Sequence, residues 1–150
     1  MRLSENFLLA ELTVTSHRGI DNEPDAAAIE RLRALATGLL QPLRDRFGPL
    51  VVTSGYRSVP LNTLIGGSPT SAHPHGCAAD LVPVADGVTV EQMARWLDLE
   101  SGLDFDQVIA ERDGRRVWLH VALPKPGRRA RREALTWDGR GYSVAPWRTA

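Results

Sequence analysis

The most regular hydrophobic pattern in the chain lies between Asp25 and Phe47 and predicts a long amphipathic helix. Apolar side chains recur there every three or four residues, which places them on one helix face: Ile29, Leu32, Leu35, Ala36, Leu39, Leu40, Leu43 and Phe47. We expect Pro24 to lie in the first turn, because a proline there loses no helical hydrogen bond. We expect Pro42 to kink the helix, because it removes one backbone donor.

Six shorter apolar runs are separated by turn residues and predict β-strands. They cover residues 50–53, 78–84, 105–111, 117–123, 133–136 and 142–144. Asp113-Gly114 and Asp138-Gly139 are hairpin turn signals. A helix is predicted after Thr89, whose side chain can form a capping box with Gln92. Because strands and helices are segregated along the chain, we expect an α+β fold in which helices pack on an antiparallel sheet.

The composition excludes several classes of protein. The 150 residues suffice for one domain with its own hydrophobic core, so we treat 1–150 as a single domain. With 18 Lys+Arg and 18 Asp+Glu residues the formal net charge is zero, which argues against general nucleic-acid binding. The lone cysteine, Cys77, excludes a disulfide framework and a four-cysteine zinc site. No apolar run approaches the ~20 residues of a transmembrane segment, and the N-terminus does not read as a signal peptide.

Three residues, His73, Asp80 and His120, form the candidate metal-ligand set. Imidazole nitrogens and a carboxylate oxygen are ligands that suit Zn²⁺. Gly76 allows the chain to fold back tightly between His73 and Asp80. His120 lies in a strand pattern, in which Trp118 points the same way. Two histidines and one carboxylate leave the fourth position of a tetrahedral zinc open, as in catalytic sites.

Each of these residues or segments, taken alone, is also compatible with an ordinary structural role. A single histidine in an apolar strand is more often a core or surface residue than a metal ligand. The segment Ser54–Ser58, with the sequence SGYRS, is also compatible with an ordinary strand-to-turn junction. The combination of the segments is what favours a metal site.

An ordered set of short motifs runs from Val52 to Leu81 and continues at Trp118. It reads SGYRS, Asn, Gly-Gly, Ser-x-His-x-x-Gly-x-Ala-x-Asp and a distant Trp-x-His. The members in this chain are Ser54–Ser58, Asn62, Gly66-Gly67, Ser71, His73, Gly76, Ala78, Asp80, Trp118 and His120. This set resembles the signature of the zinc D-Ala-D-Ala carboxypeptidase family, which includes phage endolysins and shares its fold with the hedgehog signalling domain. The flanking sequences are similar to a short, single-domain branch of the family often found in phages.

The resemblance implies a hedgehog/DD-peptidase-like fold and a role for each matching residue. His73, Asp80 and His120 would hold Zn²⁺. Arg57 would be catalytic and substrate-binding, since a planar guanidinium can bind a carbonyl or a developing oxyanion; a structural ion pair is its alternative. Ser71 would bind substrate or orient a ligand, and capping of its own loop is equally open.

The general base is the family element that this chain does not match directly. Better-characterised branches carry a glutamate three residues before the last histidine, where this chain has Val117. The short branch has a glutamate that closes the preceding strand, and Glu111 matches it. Glu111 is therefore the candidate base, with a solvent-facing partner for Arg116 as the alternative.

The predicted hairpin register bears on this assignment. A two-residue turn at Asp113-Gly114 pairs Gln107 with His120 and leaves Glu111 about 13 Å along the strand from His120, too far to reach a metal site. A wider turn would move Glu111 closer. In the predicted register Gln107 is placed to orient water or substrate, although an amide cannot act as a base.

Together, the residues and the resemblance predict a zinc-dependent hydrolase of peptidoglycan stem peptides. The bond would be D-Ala-D-Ala, as for a carboxypeptidase, or an internal bond such as L-Ala-D-Glu, as for an endolysin. We expect a monomer without a nucleic-acid partner, either cytoplasmic until it is released to the cell wall like a phage lysin, or virion-associated. The alternative is a non-catalytic, zinc-stabilised binding or structural module of a phage particle, because Val117 cannot accept a proton.

Overall fold

The strands form one small sheet and one large sheet in the computed structural model, which describes residues 1–149. The strands are β1 (Arg2–Ser4), β2 (Phe7–Leu8), β3 (Leu50–Ser54), β4 (Ala78–Pro83), β5 (Gln107–Asp113), β6 (Arg116–Ala122), β7 (Glu133–Trp137) and β8 (Tyr142–Val144). β1 pairs with β2, and the other six strands form a sheet in the order β3-β4-β6-β5-β7-β8.

The helices are short, apart from one long helix near the N-terminus. They are α1 (Ala26–Leu35), α2 (Gln41–Phe47), α3 (Val59–Leu64), α4 (Val90–Arg95) and α5 (Pro146–Thr149). Single 3-10 turns cover Leu9–Thr13 and His73–His75, and π-helical turns cover Ala36–Leu40 and Trp96–Glu100. None of the helices within residues 1–149 is both long and apolar enough to cross a lipid bilayer.

The predicted long helix is confirmed as α1 and α2, joined by the π-helical turn. Asp25 is the N-cap, and its carboxylate accepts a hydrogen bond from Ala28 N at 2.8 Å. Pro24 therefore lies one residue before the cap rather than in the first turn. Pro42 is the second residue of α2, just after the π-helical turn, where the backbone must accommodate a missing N–H donor.

The α+β prediction is confirmed, with one departure from a purely antiparallel sheet. β7 pairs with β5 in parallel, with Gln107 opposite Glu133. This happens because residues 123–132 cross from the end of β6 over the start of β5 before β7 begins. The predicted antiparallel sheet is therefore wrong at this pairing, and the predicted β7–β8 hairpin is confirmed.

Side-chain alternation gives the large sheet two different faces. One face packs with the helices in the hydrophobic core and is contributed by Ala79, Leu81, Val108, Ala110, Leu119 and Val121. The residues between them along β4, β5 and β6 point the other way and include Asp80, Glu111 and His120. The strand pattern that buries the core therefore also places polar residues together on the opposite face.

The 123–132 crossover is held by an ion pair between Asp106 and Arg131. The Asp106 carboxylate is buried and accepts hydrogen bonds from Arg131 N at 2.9 Å and from Arg131 Nη2 at 2.8 Å. Burial alone would raise the pKa of Asp106, but the hydrogen bonds from Arg131 hold it below its usual value. Folding therefore favours the ionised carboxylate.

Replacing Asp106 with Asn is expected to lower the free energy of unfolding at neutral pH by about 1–3 kcal/mol, because charge-assisted hydrogen bonds are lost. Since folding lowers the pKa of Asp106, this stabilisation is complete above the ordinary value of about 4 and disappears as pH falls through the folded-state value. Urea unfolding of both proteins, at neutral pH and at about pH 3, measures the difference. Equal stability at neutral pH would contradict the role given to Asp106.

Candidate metal centre

His73, Asp80 and His120 come from three separate segments and meet on the open face of the large sheet. His73 begins a 3-10 turn, Asp80 lies in β4, and His120 lies directly opposite Asp80 in β6. One candidate ligand atom from each residue lies within 4.8 Å of the other two. Asp80 Oδ1 is 2.9 Å from His120 Nδ1 and 3.5 Å from His73 Nε2. The structure thus brings together the three residues that the sequence singled out.

The His73 ring is oriented by the main chain of the SGYRS segment. Its Nδ1 lies 2.6 Å from the carbonyl oxygen of Gly55 and donates a hydrogen bond to it. Burial lowers the pKa of His73, which favours the neutral ring and leaves a lone pair on Nε2, toward Asp80. Gly55 must be a glycine, because a Cβ there would collide with the Leu12 backbone.

The Asp80 carboxylate is buried, yet the surrounding groups keep it ionised. Burial by itself would raise the pKa of Asp80, but His73 and His120 together hold it well below its usual range. Asp80 in turn raises the pKa of His120 against the opposing effect of burial. An ionised carboxylate between two imidazole nitrogens is a donor set that suits Zn²⁺, so these residues fit the metal that the sequence predicted.

Arg57 is held rigidly beside Asp80. Its Nε donates to Ser54 Oγ at 3.0 Å, its Nη1 to Asn62 Oδ1 at 3.2 Å and its Nη2 to Asp80 Oδ2 at 3.3 Å. Three of the five guanidinium N–H groups are therefore used inside the protein, and two remain. The structure shows the ion pair with Asp80; contact of Arg57 with substrate stays a prediction.

The Asn and Gly-Gly elements of the motif hold the Arg57 side chain in place. Asn62 is buried, and its Nδ2 donates to the Ser68 carbonyl at 3.0 Å while its Oδ1 accepts from Arg57. A Cβ at Gly67 would collide with the Asn62 side chain. The spacing of these motif residues thus reflects a chain of contacts that ends at Asp80.

Asn22 also supports the site, although no sequence motif marks it. Its Nδ2 donates to the carbonyls of Thr13 and Tyr56, and its Oδ1 accepts from Ser58 N at 2.7 Å. The side chain is buried and fixes the SGYRS loop against the N-terminal segment. No periodic pattern marks such a loop residue, so the sequence offered no signal for it.

The register between β5 and β6 differs from the predicted one. The turn is centred on Gly114-Arg115, with Asp113 opposite Arg116. Gly114 has a φ of 62°, as at the first central position of a type II′ turn. The prediction placed Asp113 and Gly114 in the centre instead, and that register is wrong.

The observed register brings Glu111 to the metal centre. Glu111 pairs with Trp118 and therefore faces the same side as His120, two residues further along β6. Diagonal neighbours of this kind lie about 7–8 Å apart, within reach of a long side chain. The long separation predicted for Glu111 is thus wrong. Burial raises the pKa of Glu111 to about 7, so this carboxyl titrates near neutral pH.

Gln107 and Ser71 are engaged within the protein. Gln107 pairs with Ala122 rather than with His120, and its Nε2 donates to Glu133 Oε1 at 2.7 Å. Ser71 Oγ accepts from the backbone N–H of His73 at 3.1 Å, so it caps its own loop. A role for either side chain in binding substrate stays a prediction.

A cavity of about 690 Å³ opens beside Asp80, one of the three candidate ligands. Its lining includes Arg57, Asp80 and Trp118, together with Arg116 and His17 from two other parts of the chain. His75, which lies between His73 and Asp80 in the sequence, is exposed. The cavity therefore reaches the candidate site on the side of Asp80.

Comparison with known proteins gives two matches. A family model described as Peptidase M15 matches residues 5–121. A zinc D-Ala-D-Ala carboxypeptidase from Streptomyces albus G is 44% identical over 78 residues, which is 51% of this chain and 31% of the relative. The matching segment is therefore less than a third of that relative's length. Because the family match covers most of the chain and extends through His73, Asp80 and His120, this protein belongs to the peptidase M15 family.

Proposed function

We propose that this protein is a zinc-dependent peptidase that hydrolyses a peptide bond in the stem peptides of bacterial peptidoglycan. The family supports a peptidase, and the name of the curated relative supports both the metal and this class of substrate. The observation that carries the proposal is the convergence of His73, Asp80 and His120, of which Asp80 also lines an open cavity. Three protein ligands leave a coordination position for water or substrate, as in catalytic zinc sites.

The ligand residues and their supports would prepare the site before substrate arrives. A zinc ion held by two imidazoles and one carboxylate supplies Lewis-acid chemistry that polarises a carbonyl group and makes water reactive near neutral pH. His73 would bind through Nε2 because Gly55 holds its Nδ1 proton. Asp80 would bind as a carboxylate whose second oxygen stays on Arg57. Such supporting contacts fix ligand orientation and tune metal affinity.

Glu111 is the residue that would move protons during hydrolysis. Its place beside His120 on the adjacent strand suits a base that takes a proton from the attacking water. The same carboxyl would then deliver that proton to the leaving amine. Arg57, with two N–H groups to spare at the cavity wall, would hold the substrate oxygen that becomes negative.

The placement of Glu111 favours catalysis over a non-catalytic module. Val117 stands where better-characterised branches of the family carry their glutamate, and it cannot accept a proton. Glu111 reaches the same side of the sheet as His120 from the neighbouring strand and offers a carboxyl in its place. We therefore retain the enzyme as the proposed function, with a phage lysin acting on the cell wall as its proposed setting.

Replacing His120 with Ala is expected to abolish zinc retention and hydrolysis together, because one of three protein ligands is lost. Elemental analysis of the purified proteins measures the metal, with about one zinc per chain expected for the unaltered protein. His75→Ala is the matched control, since this exposed histidine lies outside the ligand set. An unchanged zinc content in H120A would remove His120 from the ligands.

Replacing Glu111 with Gln is expected to retain zinc but slow hydrolysis at least ~100-fold, because the amide cannot accept a proton. Mass spectrometry of muropeptides released from purified sacculi measures the rate and identifies the bond that is cut. Glu91→Gln is the control, because this exposed carboxylate lies on α4, away from the metal centre. Near-normal turnover of E111Q would assign the base to another group.

A further inference from the structure

A row of aromatic rings crosses the open face of the sheet beside the metal centre. Trp118 in β6, Trp137 in β7 and Tyr142 in β8 lie at the same level, because Glu111 pairs with Trp118 on one side and with Trp137 on the other, and Trp137 pairs with Tyr142. The ring centroids of Trp118 and Trp137 are 6.1 Å apart, and those of Trp137 and Tyr142 are 6.3 Å apart. We call these three residues the aromatic shelf.

Trp137 and Tyr142 have no assigned part in the proposed hydrolysis, and the aromatic shelf is open to solvent at its outer end. Tyr142 is 61% exposed, and Trp118 and Trp137 are half-buried. Trp137 and Tyr142 lie beyond residue 121, where the family match ends. Large apolar groups left exposed beside a polar centre are typical of a binding surface.

The charges around the shelf restrict what it can bind. Glu111 lies within the row, and Glu133 lies on the same face of β7. A carboxylate of a stem peptide is therefore disfavoured there, whereas an uncharged group is not.

The cavity beside Asp80 is lined by more basic side chains than the shelf. Arg57, Arg116 and His17 line it, with Asp113 as its carboxylate besides Asp80. Trp118 belongs to both the cavity lining and the shelf, so the two surfaces are continuous. A substrate that crosses the sheet would thus place its anionic part toward the cavity and its neutral part on the shelf.

We propose that the aromatic shelf binds an uncharged N-acetylated sugar ring of the glycan strand to which the stem peptide is attached. This inference rests on the proposed function. The apolar C–H face of a pyranose can lie on an aromatic ring, while its hydroxyl and acetamido groups remain solvated or bond to polar side chains. The sugar also lacks the charge that Glu111 and Glu133 would repel.

The test compares one stem peptide in two forms, free and joined to its N-acetylated disaccharide. The zinc-loaded protein is expected to cleave the glycosylated form with a kcat/KM about tenfold higher, chiefly through KM. In Trp137→Ala and Tyr142→Ala this ratio should fall toward one, and Tyr142→Phe, which keeps the ring, should retain most of it. Leu99→Ala, an exposed apolar residue away from the sheet face, should keep the full ratio.

A titration with an uncharged N-acetylglucosamine oligomer tests the shelf without catalysis. Binding is expected to change tryptophan fluorescence in the unaltered protein and to weaken in Y142A, whose exposed position makes misfolding a poor explanation. Equal kcat/KM for both substrates, or oligomer binding unchanged in Y142A, would contradict the proposed sugar binding by the aromatic shelf but not the proposed peptidase activity. Cleavage of neither substrate would contradict the proposed function, and the titration would still test sugar binding independently.

Discussion

The buried carboxylate of Asp80 is the group on which the rest of the site depends. Burial of an unpaired carboxylate costs several kcal/mol, so the fold must supply partners for it. His73 and His120 face one oxygen, and Arg57 holds the other. These partners are held in turn by Gly55, Asn62 and the loops behind them. The motif residues are therefore a connected set of contacts that keeps one negative charge in place where a cation can meet it.

The same strands build the core and the site. The two-residue alternation in β4, β5 and β6 sends aliphatic side chains to the helices and polar ones to the open face. A rigid, fully packed core behind the sheet limits the movement of the residues in front of it. Placing Asp80 and His120 on paired strands, with His73 on a short 3-10 turn, therefore gives the candidate metal centre a defined geometry.

A single turn decides which carboxyl accompanies the metal centre. With Gly114-Arg115 at its centre, the hairpin brings Glu111 opposite Trp118 and diagonal to His120. The register also places Glu111 between two rings of the aromatic shelf, so the candidate base and the proposed sugar site share one row across the sheet. In the proposed reaction, the pairing of these two strands would therefore set both the position of the base and that of the sugar.

The sequence alone determined the α+β class, the long N-terminal helix, most strands and the set His73, Asp80 and His120. Hydrophobic periodicity and short motifs are local signals, so they can be recognised without knowledge of the tertiary structure. The tertiary structure decided the parallel β5–β7 pairing, the hairpin register and the place of Glu111 and the aromatic shelf. Asp-Gly signals a turn but does not say which residues form its centre, and a shift of that centre moves every pairing that follows. Strand pairing and hairpin register depend on packing between distant segments, which no local sequence pattern encodes.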